Sequence, residues 1–157
     1  MPPPVPVVPS AGEPSQSQLL LTMPTETKAS LTWQRGMEFD GSSGTAPPIH
    51  MDADSRTAPS PMALLLLAAG SCTGADIVTI LEKMRVSLIR LQIDVSGTRR
   101  DEEPRRYLNL HLTYHMSGER LDETKARRAI DLSIEKYCSV VHSLAPDIPI
   151  TYDLVLG

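Results

Sequence analysis

Two side chains in this chain would do chemistry if paired: Cys72 and Cys138, 66 positions apart. Two cysteines at that separation are too sparse for the disulfide framework of a small secreted protein. They are the right number for one attacking and one resolving thiol. A thiolate attacks a peroxide oxygen, the sulfenic acid formed condenses with a second thiol, and an external dithiol restores both by exchange. Other readings stay open. Free cysteine is often only a small buried apolar residue. Cys138 and His142 lie four apart, a ligand spacing on a helix, and with Cys72 and a further His would hold zinc. No Cys-x-x-Cys or His-Glu-x-x-His pattern accompanies them, and no Ser-His-Asp set, phosphate loop or dinucleotide fingerprint is present.

Both cysteines fall in segments patterned as buried helices. The first runs over about residues 62–85. Pro61 suits the first helical position and Ser60 the N-cap. Its first half is apolar on every side, which marks the central helix of the fold. Gly70 and Gly74 bracket Cys72, share one face and point to close approach of another backbone, or to plain packing. The second helix spans about 123–143, capped by Asp122. Ala126, Ile130, Ile134, Tyr137, Cys138 and Val141 share one face, and Glu123, Arg127, Arg128, Asp131 and Glu135 the other.

Alternating patterns supply the strands. Residues 29–33 and 37–40 form a hairpin about Gly36, residues 41–44 a loop, 49–52 a third short strand and 54–61 a further loop. Residues 88–97 read as a long strand. Residues 107–116 alternate strictly, with Asn109, His111, Thr113 and His115 on the polar face, and Ser117-Gly118 ends them. His111 and His115 read as solvent-facing or interfacial. Residues 99–106 are a charged turn whose ion pairs each contribute little. Residues 150–156 are the last strand. The order strand, strand, strand, helix, strand, strand, helix, strand makes an α+β domain in which a long helix packs on a sheet.

The chain of 157 residues fits one domain, and its net charge of −4 with only 4% aromatic residues argues against a nucleic-acid partner. The longest apolar run, residues 62–70, suits a core helix better than a membrane span. No secretory signal is visible, so a cytoplasmic protein with reduced thiols is expected. Residues 1–27 differ in composition. Their Pro-rich start is extended or polyproline-like and too poor in apolar residues to order. This tail is either a ligand for a Pro-binding module or without function, and Met23 is an alternative start.

Three stretches resemble the OsmC/Ohr superfamily, the osmotically inducible and organic-hydroperoxide-resistance proteins, and within it the YhfA-type subgroup. They are Ala58-Pro59-Ser60-Pro61-Met62 through Gly70-Ser71-Cys72, Arg99-Arg100-Asp101-Glu102-Glu103-Pro104-Arg105, and Ala129-Ile130-Asp131-Leu132-Ser133 through Lys136-Tyr137-Cys138-Ser139-Val140. The likeness spans an OsmC-like domain over residues 28–157. It implies an intertwined homodimer with two sites at the interface, no cofactor and no metal. It further implies Cys72 as the peroxidatic thiol, Cys138 as the resolving thiol, a hydroperoxide substrate and an external dithiol or lipoyl-type reductant. An apolar pocket with Met62, Leu65, Leu66 and Tyr137 would suit an organic peroxide.

The chain departs from that pattern beside the reactive thiol. The peroxidase members pair an arginine with a glutamate there. Met62 stands at the glutamate's position, and Ala63 at the next, where much of the subgroup has it. Arg56 is the nearest candidate for the arginine. Asp76, one turn after Cys72, opposes thiolate formation unless a cation neutralises it. Two functions are therefore expected from the resemblance: a dithiol-dependent peroxidase using Cys72, Cys138 and Arg56, or a non-catalytic dimer binding a small apolar or thiol ligand.

Overall fold

The computed structural model describes residues 26–157. Most of the expected tail, with the alternative start at Met23, lies outside the described residues. The fold is α+β, with two three-stranded sheets in the orders β1-β2-β3 and β4-β5-β6.

The first sheet is an antiparallel meander of β1 (Ala29–Arg35), β2 (Glu38–Ser43) and β3 (Ile49–Asp52). Gly36 makes the turn at φ +50°, a conformation open to glycine. Residues 41–43, expected in a loop, are strand. Gly41 pairs with both Leu31 and Ile49, and a Cβ there would lie 2.9 Å from the Met51 Cε. The polar serines that suggested a loop are tied across the hairpin: the Ser30 and Ser42 hydroxyls meet at 3.0 Å, and the Ser43 hydroxyl donates to the Lys28 carbonyl.

The loop after β3 is wound around one carboxylate. Asp52, only 3% exposed, accepts the backbone N–H groups of Asp54, Arg56 and Thr57 at 2.8–3.0 Å, which hold its carboxyl below the usual range against the effect of burial. That winding delivers the chain to α1 (Pro61–Lys83), where the Ser60 hydroxyl accepts the Ala63 N–H at 3.2 Å and Pro61 opens the first turn. The Ser60→Ala variant is expected to lose about 1 kcal/mol of stability, read from the urea midpoint; an unchanged midpoint would deny the cap its role. The helix stops at Lys83, two residues before the expected end. Arg85 turns left-handed at φ +58° and the Val86 N–H returns to the Leu81 carbonyl at 3.0 Å, closing the helix end.

In the second sheet β4 (Ser87–Arg99) and β5 (Tyr107–Glu119) are antiparallel, and β6 (Ile150–Leu156) adds parallel to β5. Strand β5 runs past Ser117 and Gly118, expected to end it. Gly118 lets β4 in: a Cβ there would stand 2.6 Å from the Ser87 carbonyl oxygen. Helix α1 lies on this sheet. A Cβ on Gly70 would be 2.9 Å from the Val95 Cγ2, and one on Gly74 2.9 Å from the Ile93 Cδ1. The two glycines thus admit β4 side chains, not another backbone.

Ile77, Leu81, Leu112, Tyr114, Met116, Ala126, Ala129 and Ile130 form the main core between α1, the sheet and α2 (Glu123–Leu132). Helix α1 is long and apolar enough to cross a membrane by length and composition, yet its Gly70–Gly74 side is packed on β4. Its opposite side is not covered among the described residues. Leu67 is 59% exposed and faces, across a groove of about 690 Å³, the first sheet, whose Leu31 and Trp33 are also open. The expected burial of α1 on every side is therefore not met by the described residues.

The second expected helix is not continuous. After α2 the chain makes a π-helical turn (Ser133–Tyr137), breaks at Cys138 (φ −68°, ψ 101°), and resumes as the short α3 (Ser139–Ser143). The extra residue of the π-turn rotates Tyr137 off the apolar face, and it is exposed rather than buried beside Cys138.

Candidate functional site

The break in the second helix builds one half of the site. Ser133, fully buried, works in two directions. Its carbonyl accepts the Cys138 N–H at 2.8 Å, the bond that defines the π-turn. Its hydroxyl donates to Asp76 Oδ2 at 2.8 Å. One residue thereby ties the Cys138 backbone and the Asp76 carboxylate to a common point. Cys138 then serves as N-cap of α3, its sulfur accepting the Val141 N–H at 3.4 Å.

The other half comes from α1. Cys72 and Asp76 are one turn apart and project to the same side. The result is a cluster in which the Cys72 sulfur, the Cys138 sulfur and an Asp76 carboxylate oxygen all lie within 4.8 Å of one another. Cys72 is half-buried and Cys138 fully buried, and both are free thiols. The sulfurs need to close by less than about 3 Å to reach the ~2.05 Å of a disulfide.

Electrostatics separate the two thiols. Burial pushes the Cys138 thiol up to about 11, against the lowering effect of the Val141 N–H bond, and the neighbouring Cys72 adds a smaller rise. Beneath it lies Tyr114, also fully buried. Burial pushes its phenol up to about 12, and the nearby Cys138 adds to the rise. The Thr73 hydroxyl donates to the Gly70 carbonyl at 3.0 Å, and its oxygen, beside the Tyr114 hydroxyl, opposes part of that rise.

These shifts carry a sign. The Cys138 pKa is raised in the fold, from an ordinary 9.0 to about 11. Its stabilising share is present below pH 9 and is lost as pH rises through 11, a window worth roughly 3 kcal/mol. The wild-type urea midpoint is expected to fall from pH 8 to pH 10.5 more steeply than that of Cys138→Ala. Parallel curves would contradict it.

The other expected residues are placed differently. Arg56 pairs with Asp54 at 3.7 Å in the loop before α1, and neither a hydrogen bond nor an ion pair joins it to a cysteine among the described residues. Met62, Leu65 and Leu66 do not form a pocket with Tyr137. They pack on Ala69, Tyr107 and Leu110, and the Tyr107 hydroxyl donates to the Met62 carbonyl at 2.9 Å. Tyr137 lines a separate cleft of about 480 Å³ with Asp76, Lys83 and Arg128. Among the described residues no ion pair joins either cation to the Asp76 carboxylate, although all three line the cleft. His142 is exposed and stands outside the thiol–carboxylate cluster, so the Cys138–His142 ligand spacing does not become a site. Among the described residues, the groups that could hold a metal are Cys72, Asp76 and Cys138.

Ser133 and Tyr114 were not singled out from the sequence. Ser133 is legible in retrospect as a lone hydroxyl among Ala126, Ala129 and Ile130 on an apolar face. Tyr114 has no such mark, because a tyrosine in an alternating strand reads as ordinary core.

Comparison with known proteins gives a consistent picture. The family model described as OsmC-like protein matches residues 52–153. Protein YhfA of Escherichia coli K12 is 38% identical over 126 residues, covering 80% of this chain and 94% of YhfA. The OsmC-like protein of Mycoplasma pneumoniae has the same fold at 17% identity, with a TM-score of 0.75 over 85% of this chain and 99% of its own. The organic hydroperoxide resistance protein OhrB of Bacillus subtilis superposes with a TM-score of 0.56 at 15% identity, covering 83% and 98%.

Proposed function

The chain belongs to the OsmC family, in its YhfA-like subgroup, and on that premise we propose that it is a cysteine-based, dithiol-dependent peroxidase. Its substrates are organic hydroperoxides or hydrogen peroxide, and its setting is oxidative-stress defence in the cytoplasm. The carrying observation is the meeting of Cys72 and Cys138 with sulfurs within 4.8 Å, although they come from elements far apart in the chain. The name of the Bacillus subtilis relative, an organic hydroperoxide resistance protein, points to the same substrate class.

Roles follow from the surroundings. Cys72, half-buried, is the thiol a peroxide reaches first. Its thiolate attacks the distal oxygen, the O–O bond breaks, and an alcohol or water leaves once protonated. Cys138, buried and held protonated by burial, resolves. Its sulfur displaces the hydroxyl of the Cys72 sulfenic acid, water leaves with the Cys138 proton, and an external dithiol of lipoyl type returns both thiols by exchange.

A homodimer belongs to this reading. The open faces of Leu67, Leu31 and Trp33 are apolar surfaces that a second copy would cover. The cation that favours the Cys72 thiolate then comes from the facing copy, with Arg56 as the candidate.

The test is consumption of hydrogen peroxide and of cumene hydroperoxide by the purified protein with dithiothreitol. Turnover, with the preferred peroxide naming the substrate class, supports the reading. Absence of turnover, with both thiols still free by mass spectrometry after exposure, would reject it. The second reading, a non-catalytic dimer binding a small apolar or thiol ligand, would then lead. Met62 and Ala63 in place of the glutamate, and the apolar groove lined by Leu31, Ile49, Met51, Leu64 and Leu67, favour that alternative.

A further inference from the structure

We propose that Cys72, Cys138 and Asp76 also form a binding site for a thiophilic divalent cation of the zinc class, open only while the thiols are reduced.

Three ligand atoms of suitable type converge within 4.8 Å of one another: two sulfurs and one carboxylate oxygen. Tetrahedral zinc at ~2.3 Å from sulfur and ~2.0–2.2 Å from oxygen needs ligand atoms somewhat under 4 Å apart. The contraction required is therefore small. Two thiolates select soft or borderline cations over magnesium or calcium, which take oxygen sets.

The second layer is already in place. Ser133 donates to Asp76 Oδ2 at 2.8 Å and so fixes the orientation of the carboxylate. The Val141 N–H, 3.4 Å from the Cys138 sulfur, is a donor that a metal thiolate would strengthen.

Three protein ligands leave a fourth position for water or a small thiol, the arrangement of an open rather than a closed zinc site. Binding breaks two S–H bonds, releases two protons to solvent and forms two sulfur–metal bonds; no electrons move. A Cys72–Cys138 disulfide has no thiolate to offer, so metal and disulfide exclude each other. The cation would shield the pair from oxidation, and oxidation would expel the cation.

The experiment uses the full chain, reduced and metal-free, titrated with Cd²⁺ for its ultraviolet thiolate charge-transfer band and dialysed against Zn²⁺ for metal content. One equivalent per chain is expected, with a band that Cys72→Ser and Cys138→Ser each abolish. Asp76→Asn, nearly isosteric, is expected to weaken binding about tenfold or more. Wild-type protein oxidised to the disulfide should take up no metal, an arm that needs no variant. Equal uptake by reduced and oxidised wild type overturns the proposal, as does no saturable uptake by reduced protein at millimolar metal. Uptake without peroxide turnover would remove the proposed function and leave this site standing.

Discussion

Replacing Cys72 by serine is expected to lower peroxide turnover by a factor on the order of 10³ or more, because the hydroxyl stays protonated where the thiol ionises. Cys138→Ser should behave differently. Its Cys72 still attacks, so one equivalent of peroxide is consumed quickly. The sulfenic acid then has no partner within the chain and persists until dithiothreitol reduces it directly. A cyclic dione that traps sulfenic acid should label Cys138→Ser heavily, wild type weakly and Cys72→Ser not at all, as read by intact mass. Wild-type turnover by Cys72→Ser would remove Cys72 from the chemistry. Equal labelling of wild type and Cys138→Ser would remove Cys138 from the resolving role.

The largest loss of stability is expected from Ile77→Ala. Ile77 is fully buried on α1, one residue after Asp76, and packs in the core with Leu81, Leu112, Tyr114, Met116 and Ile130. Removing three carbons from a site closed by the sheet on one side and α2 on the other leaves a cavity that neighbours fill only in part. Costs of ~2–5 kcal/mol follow for such truncations, or on the order of 10 °C in Tm for a chain of this size. Equilibrium urea unfolding beside the thermal melt would check it, and a loss under about 1 kcal/mol would mean that the core repacks. Activity offers a second reading. The turn that carries Ile77 also carries Asp76, so loosening it should slow disulfide formation more than it slows the first attack.

Much of this was legible because it rests on periodicity and caps. Ser60-Pro61 and Asp122 mark helix starts, and strict alternation in residues 107–116 marks β5; each depends on a few adjacent residues. The meeting of Cys72 and Cys138 was expected only through the resemblance, since no local pattern relates α1 to the chain after α2. The π-turn was not legible. Ser133 through Tyr137 continues the helical pattern of α2, and the insertion follows from two tertiary demands, that Ser133 reach Asp76 and that Cys138 face the same point. Gly41 and Gly118 misled for a related reason. Glycine and serine signal turns, yet here both glycines admit a neighbour inside a strand. Arg56 stands before α1 in the sequence, and the loop wound on Asp52 places it beside Asp54 within its own chain.

The parallel pairing of β6 with β5 sets a timetable for this chemistry. Ile150 joins Leu110, and the connection between them contains α2, the π-turn and Cys138. Such a crossover closes only after its last strand exists. During synthesis Cys72 emerges early on a helix that has no sheet to lie on, and Cys138 follows without a fixed partner. The seven-residue β6 is made after both thiols. Until it pairs with β5, the second sheet does not hold the two cysteine-bearing elements to each other, so the reactive pair is a late product of folding.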